Sequence, residues 1–233
     1  MVPDRPLLAF IGAELAIEPA GGLTAPVDLE IGPDSLVLID LGSPQRVTLF
    51  ADAAMGLVAP ARGRVMFQGR DWAEATPDQA RALRGRIGRF LLEPGWIPHL
   101  TLADNVLLRP AYHTRIGGDA LLAEAVSLCR TLGMPGLPAG FPADVPEGDL
   151  ACAALARAFL GGPRLVILEH PTAALGMALL GPLLRLIRDV RDEGGAALWL
   201  VHGDVRDLRA AVPATRQYRL AADRLVRLGG ASA

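Results

Sequence analysis

Glu169 and His170 are the residues of this chain best placed to do chemistry. They close a short apolar run, Leu165-Val166-Ile167-Leu168, and stand just before Pro171-Thr172. A carboxylate at the end of a buried strand can hold a divalent cation, and a neutral imidazole beside it can take a proton. His202 follows a second apolar run, Leu198-Trp199-Leu200-Val201, with Asp204 close behind. These four donors suit a metal ion in type, although such sets are more often incidental than sites. Ser43 with His202 would suggest a hydrolase, but no Gly-x-Ser-x-Gly turn surrounds the serine. All 23 basic residues are Arg and none is Lys. Any anion must therefore be met by planar guanidinium groups rather than by compact ammonium charges.

A chain of 233 residues with 51% hydrophobic content fits one large domain, or one with a subdomain, around a sizeable core. A net charge of −2 argues against a basic nucleic-acid face. Cys129 and Cys152 stand at no metal-ligand spacing and fall in helical patterns, so both read as small buried thiols with no sign of an oxidising compartment. Residues 7–16 could pass for a signal-peptide core, but Glu14 interrupts them and Arg5 is the lone basic residue before them; a first strand is the better reading. No apolar run reaches the roughly 20 residues that span a bilayer, and a cytoplasmic location is expected.

Periodicity supplies the elements that must position these residues. Residues 7–17 and 25–31 read as strands separated by the turn Gly21-Gly22, and residues 35–39 as a buried strand. A helix is expected over residues 48–57 and a strand over 63–67. Thr76-Pro77-Asp78-Gln79 offers an N-cap, Pro at the first helical position and Gln at the third, which predicts a helix start. Residues 95–160 read as mainly helical, broken by the Gly/Pro-rich residues 133–146. Strands at 164–169 and 196–201 flank a helix at about 177–192, the pattern of a βαβ crossover in a parallel sheet. Two last strands are expected near 215–220 and 224–228.

Several motifs in order carry a resemblance. Residues 162–172 have the frame of a Walker B strand. Val145, Pro146, Glu147, Gly148 and Asp149 stand where a Leu-Ser-Gly-Gly-Gln signature would lie, followed by Ala153-Ala154-Leu155-Ala156-Arg157-Ala158. Ile87-Gly88, Glu93-Pro94, Pro98-His99-Leu100-Thr101 and Asp104-Asn105-Val106 look like a Q-loop and its sequel. Along essentially its whole length the chain resembles the nucleotide-binding subunit of ABC transporters. The resemblance implies an α/β P-loop NTPase core with a parallel sheet, an antiparallel β subdomain and an inserted helical subdomain. Residues 1–94 and 161–233 would form the RecA-like and β core, and residues 95–160 the helical signature subdomain.

The departures from the family pattern fall on its chemistry. A P-loop needs glycines so that backbone N–H groups wrap the phosphates, Lys for the β and γ oxygens, and Ser or Thr for Mg²⁺. Here the segment runs Asp40-Leu41-Gly42-Ser43-Pro44-Gln45-Arg46-Val47-Thr48-Leu49. Counting back from Met55-Gly56-Leu57 puts Val47 in the Lys slot and Thr48 in the Ser slot; a shift by one residue would put Arg46 there instead. Pro44 removes a donor, and Asp40 would repel phosphate. Glu169 takes the Walker B Asp position and His170 that of the catalytic Glu. Leu92 replaces the Q-loop Gln, Pro146 the signature Ser, Glu147 a signature Gly, and Gly176 the D-loop Asp. Pro19 and Ala20 stand where an aromatic would stack on adenine. His202 matches the switch-loop His, as a γ-phosphate sensor or, preferably, a remnant that caps a loop.

The resemblance therefore implies a catalytically degenerate subunit, on the cytoplasmic side of the inner membrane, bound to an inner-membrane ABC permease. It would form a homodimer, or a heterodimer with another nucleotide-binding domain, and meet no nucleic acid. No cofactor is required; Mg-ATP would enter only if nucleotide binding survives, with Thr48 and Glu169 at the metal. Leu91, Leu92, Trp96 and Ile97 would line the groove that receives a permease helix, or else fill the core. The alternatives are a slow ATPase using Arg46, Thr48, Glu169 and His202, and a soluble regulator. Gly69-Arg70-Asp71-Trp72 and Tyr112-His113-Thr114-Arg115 look like segments of the Mla/MCE lipid-transport and solvent-resistance branch.

Overall fold

The computed structural model describes residues 5–15, 23–91, 93–203, 205–221 and 224–228. The chain opens with β1 (Leu8–Leu15), β2 (Leu23–Ile31) and β3 (Leu36–Asp40), then α1 (Pro44–Ala54). Next come β4 (Arg62–Phe67), the short β5 (Arg70–Asp71), α2 (Pro77–Arg84) and β6 (Ile87–Phe90). Three helices follow: α3 (Leu102–His113), α4 (Gly118–Thr131) and α5 (Glu147–Phe159). The chain then runs through β7 (Leu165–Glu169), α6 (Pro171–Leu175), α7 (Leu180–Asp192), β8 (Ala196–Val201) and α8 (Arg206–Ala211) to β9 (Arg216–Ala221) and β10 (Arg224–Leu228).

Two sheets organise these elements. One is antiparallel, ordered β2-β1-β4-β5. The other, ordered β10-β9-β3-β8-β7-β6, is parallel except for the β9–β10 hairpin at its edge. The α7 crossover joins β7 to its parallel neighbour β8, as the spacing of their apolar runs predicts. The central strands are buried on both faces, and their residues alternate between two cores. Val37, Ile39, Leu165, Ile167, Leu198 and Leu200 face α1 and the antiparallel sheet. Leu36, Leu38, Val166, Leu168, Trp199 and Val201 face α5, α7 and α8. A third cluster, around Leu102, Val106, Leu121 and Ala153, holds α3, α4 and α5 together.

Local chemistry explains the helix starts. Thr76 and Gln79 form the predicted capping box, with Thr76 Oγ1 accepting from Gln79 N–H at 3.3 Å and Gln79 Oε1 from Thr76 N–H at 3.1 Å. The helix expected over 48–57 begins four residues earlier, at Pro44. Ser43 caps it and Pro44 sits in the first turn, where a missing N–H costs nothing. Gly88 is required by a close approach: a Cβ there would lie 1.7 Å from the Ala158 carbonyl of α5. Among the described residues no helix is long and apolar enough to cross a membrane.

Candidate functional site

Glu169 ends β7 with its carboxylate on the α1 side of the sheet and is 2% exposed. Burying a carboxylate demands a partner. Arg89 supplies it: its Nε donates to Glu169 Oε1 at 2.6 Å and its Nη1 to Asp52 Oδ1 at 2.5 Å. Strand register explains the meeting. Arg89 pairs with Ile167 across the parallel β6–β7 ladder, so Arg89 and Glu169 share one face of adjacent strands. Asp52 reaches them from α1. Burial pushes the Glu169 carboxyl up, and the Arg89 guanidinium and the Thr48 hydroxyl pull it partly back. Thr48 Oγ1 lies 3.5 Å from Glu169 Oε2, so the two residues expected at a metal do meet.

His170 turns away from this cluster. Its φ of 48° places it in the left-handed region, and the backbone leaves β7 there. Its N–H donates to Leu200 O at 3.0 Å, and its ring meets His202 with centroids 3.9 Å apart at 62°. Burial, then the neighbouring His202, lower the His170 pKa to about 4, against the pull of Asp40. The ring is thus neutral at physiological pH, and its Nε2 is buried without a partner. Glu169 and His170 therefore face different neighbours, and among the described residues no three His, Cys, Asp or Glu side chains are grouped to hold a metal. Asp204 lies outside the described residues.

The exit from β3 is short. Only Leu41, Gly42 and Ser43 separate Asp40 from α1. Gly42 takes φ 75°, and its N–H donates to Asp40 Oδ1 at 3.2 Å. Arg46 N–H donates to Ser43 Oγ at 3.4 Å and Val47 N–H to Ser43 O at 3.2 Å. The serine is a helix cap here, not a nucleophile. Asp40 is buried and paired with Arg219 of β9, Nε to Oδ2 at 2.9 Å. Val47 points into the core at 2% exposure, beside buried Leu49. Thr48 is on the exposed face and lines, with Pro44, Gln45, Asp52, Glu93 and Glu169, a cleft of about 610 Å³.

The remaining expected positions are dispersed. Glu147 opens α5 after Pro146, and Glu147 with Asp149 puts negative charge on the helix N-terminus, where it complements the dipole. Leu91 is partly exposed. Trp96 is partly buried and packs against the second and third cores, with the Arg157 guanidinium 4.4 Å from its ring centroid. Ile97 is held through its backbone by Asn105: its N–H donates to Asn105 Oδ1 at 2.8 Å and its carbonyl accepts from Asn105 Nδ2 at 3.0 Å. Leu92, Pro19 and Ala20 lie outside the described residues.

Sequence reasoning missed Arg89 and Asp52. The signal was present: each is a charge inside an apolar element, and a buried charge needs a counter-charge.

A family model described as "ABC transporter" matches residues 47–173, more than half of the chain. The chain belongs to the ABC transporter family. It is 35% identical over 159 residues to the thiamine import ATP-binding protein ThiQ of Cereibacter sphaeroides, covering 67% of this chain and 65% of that protein. It is 28% identical over 224 residues to the macrolide export ATP-binding/permease protein MacB of Marinobacter nauticus, covering 96% of this chain and 33% of that one. The alignments thus span less than two thirds of these relatives' lengths. Among solved structures, the dimeric bacterial ABC transporter cassette MJ0796 superposes with a TM-score of 0.79 at 20% identity, covering 96% of this chain and 99% of that one. The fold is that of an ABC cassette.

The residues expected at the P-loop lie in β3, the short turn and α1, those expected at Walker B in β7, and those expected at the signature at and just before the start of α5. The Val47 side chain, in the Lys slot by count, faces the core, and Thr48 in the neighbouring slot faces Glu169.

Proposed function

We propose that this chain is a catalytically degenerate nucleotide-binding subunit of an ABC transporter, acting through binding to a membrane permease rather than through ATP hydrolysis. The observation that carries the reading is the Arg89 guanidinium between Glu169 and Asp52. A resident cation neutralises the carboxylates that would otherwise attract a metal. The groups present also do not fit a magnesium triphosphate elsewhere. The turn is three residues long, the N–H groups of Gly42 within it and of Arg46 and Val47 in the first turn of α1 have protein acceptors, and the cleft beside it is lined by Asp52, Glu93 and Glu169. Each lost charge-assisted contact to phosphate costs about 1.5–3 kcal/mol.

The names of ThiQ and MacB, and the dimeric MJ0796 cassette, support a permease partner and a homodimer or heterodimer. A place on the cytoplasmic face of the inner membrane, and the division into a core (residues 1–94 and 161–233) and a helical subdomain (95–160), belong to the same reading. A lipid cargo is its finest part and rests on residues 69–72 and 112–115. Docking would use Leu91, Leu92, Trp96 and Ile97, of which Leu91, Trp96 and Ile97 are partly exposed.

Calorimetric titration of the full chain with Mg-ATP tests the proposal: no saturable heat is expected, and a micromolar Kd overturns it. The approach of Thr48 to Glu169 at 3.5 Å favours a second reading, a slow ATPase using Arg46, Thr48, Glu169 and His202. Phosphate release that disappears in Glu169→Gln would establish that reading instead.

A further inference from the structure

Beside the cleft, with Leu91 lining both, a cavity of about 440 Å³ is lined by Arg84, Arg89, Arg109 and Arg157, with Met55 and Leu57 among its apolar walls. Among the described residues no Asp or Glu lines it. Its size falls within the range of small-molecule sites, about 300–1,000 Å³.

Arg89 spends its charge on Glu169 and Asp52. The other three arginines are held by carbonyl oxygens. Arg84 donates to Met55 O and Gly56 O at 3.0 and 2.7 Å, Arg109 to Gly85 O at 2.8 Å and to Leu160 O, and Arg157 to Pro94 O at 2.6 Å. Carbonyls satisfy N–H groups but leave the net charge in place. The ion pairs among the described residues engage other arginines than these three. Glu124, the carboxylate that acts on Arg109 through space, accepts from Gly161 N–H at 2.8 Å. Desolvation pulls both Arg109 and Arg157 down to about 10, the mark of buried cations short of counter-charge. Two guanidinium nitrogens on residues that line this cavity, Arg89 Nη2 and Arg109 Nε, are buried without any acceptor.

We infer that this cavity binds a phosphate monoester dianion, with Arg89 and Arg109 donating to its oxygens, Arg84 and Arg157 balancing its charge, and its organic body against Met55, Leu57 and Leu91. Binding requires the Arg89 and Arg109 guanidinium groups to turn until these buried nitrogens face the ligand. A dianion offers the several acceptor oxygens that planar guanidinium groups match. Leu57 is 53% exposed at this wall, which leaves an apolar surface for a larger body. The same headgroup chemistry is presented by a free metabolite and by an anionic phospholipid. The site does not rest on the reading of the ATP position, although a ligand here would compete with a partner docked at Leu91.

The test uses the full chain and two probes. One is glycerol 3-phosphate in calorimetric titration, with glycerol as the neutral control. The other is co-sedimentation with phosphatidylcholine vesicles, with and without phosphatidate. Saturable binding of glycerol 3-phosphate, silent for glycerol and weakened at least tenfold in Arg109→Met, assigns a free ester. Binding confined to phosphatidate vesicles, with the same sensitivity, assigns a lipid headgroup. The Arg109 Nε–H resonance of the wild-type chain should move during the titration, which keeps the test decisive if the variant unfolds. Binding of neither probe, or binding that leaves the Arg109 resonance unmoved, overturns the inference.

Discussion

Arg89 Nε lies 2.6 Å from Glu169 Oε1, with the two side chains 10% and 3% exposed, and the second arm of the same guanidinium holds Asp52. The pair joins β6 to β7, and through Asp52 it joins both strands to α1. Removing one partner of a buried pair strands the other charge, so Arg89→Leu should cost about 3–5 kcal/mol in urea unfolding. Burial raises the Glu169 carboxyl above its unfolded value, so the native state holds the extra proton between the two values. Stability from this group is therefore present at low pH and lost as pH rises through that window. Without Arg89 the window widens upward, and the loss in Arg89→Leu should be smaller at pH 5 than at pH 8. An equal loss at both would show that the charge is not what matters there.

His170 titrates in the opposite sense. Its pKa falls from 6.5 to about 4 on folding, so between those values the unfolded chain binds the proton and the native chain does not. The protein should lose up to about 3 kcal/mol as pH falls from 6.5 to 4 through this residue alone. His170→Asn keeps a side chain that tolerates φ near 48° and removes the titration. The variant's unfolding free energy should fall less steeply across that pH interval; an unchanged slope would assign the acid sensitivity elsewhere.

Trp96 contacts two cores and carries Arg157 over its ring. Trp96→Ala should lower stability by about 1–3 kcal/mol, less than for a fully buried ring because Trp96 is partly exposed. Differential scanning calorimetry of the isolated chain reads this directly. A variant as stable as the wild type would favour groove lining over core filling for Trp96.

Asn105 is 3% exposed and spends its amide on the loop before α3, donating to the carbonyls of Ile97, Leu100 and Thr101 and accepting from Ile97 N–H. Asn105→Ala leaves several of these groups without partners, at about 1–3 kcal/mol for each one that water does not reach. Faster amide exchange at Ile97 should accompany the loss of stability. Ile97 protection equal to the wild type would show that the loop is held by something else.

The sequence by itself determined the elements and the family. Buried strands announced themselves as apolar runs, the α2 start as Thr76-Pro77 with Gln79, and the βαβ unit as two such runs around one helix. These signals are local, and short-range chemistry carries them. The same grammar at Ser43-Pro44 marks the start of α1, four residues before the helix expected from periodicity. What the sequence could not display is which charges meet. Arg89 and Glu169 are far apart in the chain, and nothing local in either neighbourhood names the other. Their contact depends on the parallel register that sets Arg89 opposite Ile167, and on the side-chain alternation that turns both toward α1. Likewise, His170 stands beside Glu169 in sequence but leaves it in space, because one left-handed residue redirects the chain toward His202. Adjacent letters were parted and distant ones joined because strand pairing and backbone direction, set by the whole sheet, decide where a side chain points.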